Sequence, residues 1–357
     1  MGKNMHSIIL APSAIRPSRS IRMFSFEKIN NQVLNRIECP GTEKHYRVTL
    51  PNGLPENIPD VLKDGENRYS IMIETYLPLA DRIKNFQVYE DDVWVVTFPK
   101  CGTTWTQEMV WLLNNNLNYD YARKHSLEER FPFLELTGAL TLIGGDSVTE
   151  VEQLARPRHI KSHLTAMLLP DQIWTVKPRI IYVSRNPKDA ATSFYHHYRN
   201  IVGYDGPREH FFDAFLGNNL IYAPFGDHVK DYWKLKDQEN VLFITFEQMK
   251  TNLRKVVMQV ATFLGKTFTD QEVDVLEEHL SVDSMRANKS CNMDALVEWA
   301  KRVNYSEERR QNDANEFRFI RNGKIGTYKI DMSEDYIERF NEFEKILTEN
   351  IGCNFHF

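Results

Sequence analysis

Val93-Trp94-Val95-Val96-Thr97-Phe98-Pro99-Lys100-Cys101-Gly102-Thr103-Thr104-Trp105 is an apolar run that breaks into a small polar turn. The β-branched and aromatic residues from Val93 to Phe98 have the length of a buried strand, and Pro99 ends it. One lysine, one glycine and two hydroxyls follow, and then a helical pattern through Gln107, Met109, Val110, Leu112 and Leu113, stopping at Asn114 to Asn116. The same grammar recurs twice. Arg179 to Val183 reads as a strand followed by a helix from about Asp189 to Tyr198. Val241 to Phe246 reads as another, and its helix carries Leu253, Val256, Val257, Val260, Phe263 and Leu264 on one stripe before Gly265. Continuous apolar strands alternating with helices imply an α/β fold: a central parallel sheet of about five strands with helices on both faces. Ligands in such folds bind beyond the carboxyl ends of the strands.

Working outward, the chain of 357 residues is 42% hydrophobic, enough to bury a sizeable core, and its net charge of −5 speaks against a nucleic-acid surface. Cys39, Cys101, Cys291 and Cys353 form no C-x-x-C pair, which suggests reduced thiols and a cytoplasmic setting. No apolar run approaches the roughly 20 residues a bilayer demands, so no membrane association is expected. Ahead of Glu27 there is no acidic residue, while Lys3, Arg16, Arg19 and Arg22 stand among serines. This fits a transit peptide, a disordered leader or a start upstream of a true initiator at Met23. Pro40, Pro51, Pro55 and Pro59 with Gly41 and Gly53 read as an arm rather than a long regular element. Residues 1–50 are therefore expected to be an N-terminal extension and 51–357 the main domain.

Three basic segments could hold an anion. Lys100-Cys101-Gly102-Thr103-Thr104 precedes a helix N-terminus, where unpaired amides and a positive dipole end favour phosphate. It is not the G-x-x-x-x-G-K-[ST] phosphate loop, because the lysine comes before the glycine. A capped helix with a surface lysine is the plain alternative. Cys101 in this turn is either a thiol activated by its surroundings or a small core residue. Arg185 leaves the second strand, with Ser193 farther along the following helix. A guanidinium and a hydroxyl suit a terminal phosphate, although Asp189 could equally pair with Arg185. Arg321-Asn322-Gly323-Lys324 is a glycine-punctuated basic loop, which by itself could be a solvated turn.

Together, and in this order and spacing, the segments resemble the cytosolic sulfotransferase family over roughly residues 55–350. Phe98 to Trp105 is similar to its 5′-phosphosulfate loop, Arg185 to Ser193 to its 3′-phosphate segment, and Arg321 to Lys329 to its C-terminal nucleotide loop. Lys161-Ser162-His163-Leu164 resembles its K-T-H-L segment. The resemblance implies 3′-phosphoadenosine 5′-phosphosulfate (PAPS) as donor, PAP as product, no metal, and sulfuryl transfer to a small-molecule alcohol or phenol. It also implies His163 as base, with Lys100 and Lys161 at the transferring group. Arg185, Ser193 and Arg321 would hold the 3′-phosphate, and Trp105 would flank adenine. Phe246 stands for a usual tyrosine, Val282 for a phenylalanine and Asn322 for a basic residue, leaving Lys324 as a possible helper beside Gly323. The family's dimer motif is not recognisable after Lys329, so a monomer or an atypical homodimer is expected.

Acceptor contacts are expected from Phe133, His197 and Tyr204 in aromatic-rich stretches, with His197 offering a polar contact where the family usually has an aromatic residue. Adjacent His196 and His197 have no acidic or cysteine partner at ligand spacing, which excludes a metal reading. The rival functions are dehydration of a retinoid or isoprenoid alcohol through transient sulfonation, a catalytically silent nucleotide-binding protein, and a nucleotide kinase.

Overall fold

Strand β4 (Val93–Thr97) buries all five of its side chains, as a strand covered on both faces must. In this computed structural model, which describes residues 23–30, 32–37, 44–63, 68–140, 143–307, 309 and 317–352, β4 lies inside a four-stranded sheet. Its neighbours are β5 (His159–Ser162) and β6 (Arg179–Ser184), and β7 (Val241–Thr245) lies beyond β6. All three pairings are parallel, with Val95 opposite both Lys161 and Ile181. Four strands rather than about five make up this sheet among the described residues.

Because chain order reverses at β4, its carboxyl end is the switch point where such sheets open a crevice. Helices leave the ends of β4, β6 and β7 as the pattern predicts: Thr103–Asn114 after β4, Pro187–His197 after β6, and Phe246–Thr251 with Leu253–Phe263 after β7. Strand β7 stops one residue before Phe246 because Thr245 caps the next helix. Its hydroxyl accepts from the Gln248 amide, while the Gln248 side chain accepts from the Thr245 amide.

The apolar residues of the sheet divide between two cores. Trp94, Val96, Ile160, Ile180 and Tyr182 face one side, and Val93, Val95, Ile181, Val183 and Ile244 face the other. This is the alternation of a pleated strand with both faces covered.

A second sheet spans the expected boundary at residue 50. Strands β1 (Ser25–Lys28), β2 (His45–Thr49) and β3 (Ser70–Ile73) pair antiparallel, and Phe24, Leu34 and Val48 are buried in the first core. The proline-rich stretch thus contains a short strand. The transit-peptide question, together with Cys39 and Cys353, lies outside the described residues.

Candidate active site

A cavity of about 400 Å³ opens beyond the carboxyl ends of β4, β5, β6 and β7. At its sheet end the chain leaves β4 through Lys100 at φ +68° and Gly102 at φ +107°. Two left-handed residues in so short a turn bend successive amides toward one point, which is the geometry of an anion nest. Gly102 suits its position twice over, because a Cβ there would also approach the Phe246 ring to 3.0 Å. Cys101, inside the turn, is fully buried, and burial pushes its thiol pKa up. It is a core residue and not an activated nucleophile.

Four cations converge on the cavity. Lys100, Lys161, Arg185 and Arg321 all line it. Burial, then the charges of Lys161, Arg185 and Arg321, lower Lys100 to about 7. Burial lowers Lys161 to about 8. Each of three cations lies over an aromatic face: Lys100 over Phe319 at 3.8 Å, Lys161 over Phe133 at 4.1 Å and Arg185 over Phe246 at 4.0 Å. Such crowding of like charge is stable only opposite an anion or at reduced protonation.

Arg185 does not pair with Asp189 by hydrogen bonding. It donates to the carbonyls of Lys100 (3.1 Å) and Lys324 (3.3 Å), tying the first loop to the C-terminal loop, while its buried Nε has no partner. Asp189 instead accepts from the Gly326 amide (2.7 Å), the Thr327 hydroxyl (3.1 Å) and the Tyr328 amide (3.2 Å). Arg321 donates to Thr327 Oγ1 (3.0 Å) and pairs with Asp331 (3.3 Å). Lys324 is exposed and contributes its carbonyl rather than its ammonium. Gly102, Thr103, Thr104, Ser193, Asn322 and Gly323 also line this end. Trp105 and Phe246 meet edge to face with ring centres 5.6 Å apart and, with Val282, make an apolar wall suited to a flat base. Gly323 fits closely against that wall, for a Cβ there would stand 2.6 Å from Val282 Cγ2.

At the junction of this anion end with the apolar end stands His163, only 8% exposed. Its Nδ1 lies 2.8 Å from the Thr97 carbonyl, which can only accept, so Nδ1 carries the proton and Nε2 keeps the lone pair. Burial first, and then Lys161, hold its pKa well below the ordinary value, so the ring is neutral at cellular pH. Its main chain is fixed from both sides. The amide donates to Glu135 Oε1 (2.6 Å), and the carbonyl accepts from His228 Nε2 (2.9 Å). His228 Nδ1 must then accept, from the Tyr182 hydroxyl (2.8 Å).

Nothing in the local sequence marks Thr97, Tyr182 or His228 as site residues, and for Glu135 the one signal is a carboxylate two residues beyond Phe133 that closes an aromatic stretch. Phe133 and His197 line the cavity. Tyr204 is a correction: it is 2% exposed and packs in the first core, its hydroxyl donating to the Pro207 carbonyl (2.8 Å), and it does not line the cavity. No cluster of potential metal ligands occurs among the described residues, and no described helix is long and apolar enough to cross a membrane.

Comparison with known proteins adds a family to this geometry. Residues 90–352 match the family model of the sulfotransferase domain. A luciferin sulfotransferase of Photinus pyralis is 36% identical over 296 residues, covering 79% of this chain and 78% of its own. Sulfotransferase 1E1 of Bos taurus is 30% identical over 272 residues, covering 76% and 88%. Among solved structures, retinol dehydratase in a complex with retinol and PAP shares the fold, with a TM-score of 0.75, 21% identity and coverage of 91% of this chain and 96% of that one. A mouse sulfotransferase complexed with PAP gives a TM-score of 0.59 at 23% identity, covering 79% and 93%. The chain belongs to the sulfotransferase family.

Proposed function

We propose that the enzyme moves a sulfuryl group from PAPS to the hydroxyl of a small-molecule alcohol or phenol by direct in-line displacement, releasing PAP. One observation carries the reading: a neutral histidine with a fixed tautomer stands where a cluster of four cations meets an apolar cavity. PAPS supplies an activated sulfuryl group whose bond to the phosphate oxygen breaks in transfer. Lys100, the amide nest that follows it and the Thr103 and Thr104 hydroxyls hold the 5′ end, and Lys100 stabilises charge growing on the bridging oxygen. Lys161 steadies the sulfuryl oxygens. Arg185, Ser193 and Arg321 hold the 3′-phosphate, with the Gly323 backbone closing the loop. Trp105, Phe246 and Val282 enclose the adenine.

His163 removes the acceptor's proton through Nε2, because Nδ1 is committed to the Thr97 carbonyl. A base that is already neutral needs no prior deprotonation to act. Apolar side chains of Leu136, Leu140, Val202, Ile221 and Leu296 line the rest of the cavity and favour a hydrophobic acceptor. In this reading the enzyme is a monomer or an atypical dimer acting in the cytoplasm without a metal.

Incubation with PAPS and a panel of phenols, sterols, isoprenoid alcohols and amines, read by mass detection, tests the reaction. A stable sulfate ester together with PAP is the expected product. Loss of water from an alcohol would mean dehydration instead, and ATP replacing PAPS would mean a kinase. His163→Ala is expected to bind PAP normally while turnover falls roughly 10²–10⁴-fold. Near-normal turnover in that variant would sink the mechanism.

A further inference from the structure

Asp331 closes the short helix Tyr328–Asp331 behind Arg321, and its one carboxylate meets three basic side chains. Oδ2 accepts from His196 Nε2 (3.0 Å) and from Arg321 Nη1 (3.3 Å), and Oδ1 accepts from Arg208 Nη1 (3.4 Å). Arg208 also donates to the Asp331 carbonyl (3.0 Å). Burial raises the Asp331 pKa, but His196, Arg321 and Arg208 outweigh it and hold the carboxyl below its ordinary value. Of these groups only Arg321 lines the cavity, so the cluster stands behind the wall.

His196 belongs to the Pro187–His197 helix, one turn beyond Ser193, and Arg208 opens the next helix, Arg208–Leu216. Arg321 Nη2 donates to Thr327, whose hydroxyl is held by Asp189 in the first turn of the Pro187–His197 helix. Arg321 is thus tied to both ends of the helix that carries Ser193. A guanidinium has more N–H donors than these two partners use, so it can still reach a ligand in the cavity. Nor does Asp331 cancel its charge, because one carboxylate is shared between two guanidiniums and an imidazole. An arginine fixed in advance loses less side-chain freedom when it grips a phosphate. We propose that Asp331 is a positioning residue for the donor: it sets Arg321 in register with Ser193, and the preference for a nucleotide with a 3′-phosphate depends on it.

The role rests on the sulfotransfer reading, in which Arg321 and Ser193 hold the 3′-phosphate. Calorimetric titration with PAP and with 5′-AMP tests it on wild type, Asp331→Ala and Asp331→Asn, each with and without Arg321→Ala. Wild type should prefer PAP. Asp331→Ala should cut that preference ~10-fold, the lower end of what a charged hydrogen bond contributes, while 5′-AMP affinity stays the same. Asp331→Asn, nearly isosteric and still an acceptor, should keep more of the preference, and it reads the same ratio if the alanine variant fails to fold. In the Arg321→Ala background neither Asp331 change should matter, because a residue acting through Arg321 has nothing left to act on. Equal losses for PAP and 5′-AMP, an undiminished loss in that background, an unchanged preference in Asp331→Ala, or tighter PAP binding by it would each overturn the role and leave the sulfotransfer reading standing. No PAP binding by wild type would overturn both.

Discussion

Lys100 shares its buried pocket with Lys161, Arg185 and Arg321, and its ammonium is lowered to about 7. At about pH 8 some nine-tenths of it is therefore neutral in the protein alone. A phosphate dianion placed against it favours the charged form and raises that pKa. PAP binding at about pH 8 should thus take up protons, most of them on Lys100 with a smaller share on Lys161, which is lowered to about 8. Calorimetry in buffers of different ionisation enthalpy reads this directly, and Lys100→Met should remove most of the uptake. Glu135 shows the opposite linkage. Burial raises it from an ordinary 4.5 to about 7, against the hydrogen bonds from His163 and Ser162 that favour its charge. The folded state then holds a proton that the unfolded state releases, so stability falls as pH rises from about 4.5 to 7 and levels off above. Glu135→Gln cannot titrate and should lose this slope, worth up to about 3 kcal/mol, in denaturant titrations across that window.

At the scale of elements, the joint between the Pro187–His197 helix and the C-terminal loop decides how the cationic end of the cavity, the phosphate end of the sulfotransfer proposal, is built. Asp189 accepts three hydrogen bonds from Gly326 to Tyr328 and so holds the loop that carries Arg321 to Gly323. Asp189→Ala should weaken PAP binding ~10-fold or more, because charged hydrogen bonds of this kind contribute roughly 1.5–3 kcal/mol each. It should also speed amide exchange in residues 321–328 while sparing β4. A sequence reading could see β4, β6 and β7 because each is a continuous apolar run bounded by turn residues. Strand β5, His159-Ile160-Lys161-Ser162, has a single apolar residue and becomes a strand only by pairing with β4, so periodicity could not reveal it. The same limit applied in the site. Lys100 and Arg185 are legible from their place just after strands. His228 supports His163 from 65 residues away, a contact that leaves no local pattern. Tyr204 and Phe133 are both aromatics in aromatic-rich stretches, and only the packing sends one to the core and the other to the cavity.

Taken as a whole, the molecule ties the N-terminal sheet to the apolar end of the cavity, the acceptor wall of the sulfotransfer proposal. Tyr222 lines the cavity at φ +69°, a left-handed conformation that costs a bulky side chain roughly 1–3 kcal/mol and persists only when its surroundings enforce it. Strand β3 supplies that enforcement. The Tyr222 amide donates to the Ile71 carbonyl (2.7 Å), and the Ile71 amide donates to the Ala223 carbonyl (2.9 Å). Behind β3 lies β2, pairing Val48 with Ser70 and Arg47 with Ile71, and Val48 is fully buried. Val48→Asp would bury an unpaired charge in the middle of this sheet, a change expected to cost about 3 kcal/mol or more. Its consequences should be uneven. The phosphate end is built from loops after β4 and β6 and from the C-terminal loop, none of which pairs with β2, so PAP affinity should survive in the folded fraction. The acceptor wall loses the strand that holds Tyr222, so the KM for acceptor should rise. Steady-state kinetics and PAP titration below the lowered melting temperature test this. If PAP affinity and acceptor KM shifted by the same factor, the sheet would be a general stabiliser and not a support for the acceptor wall.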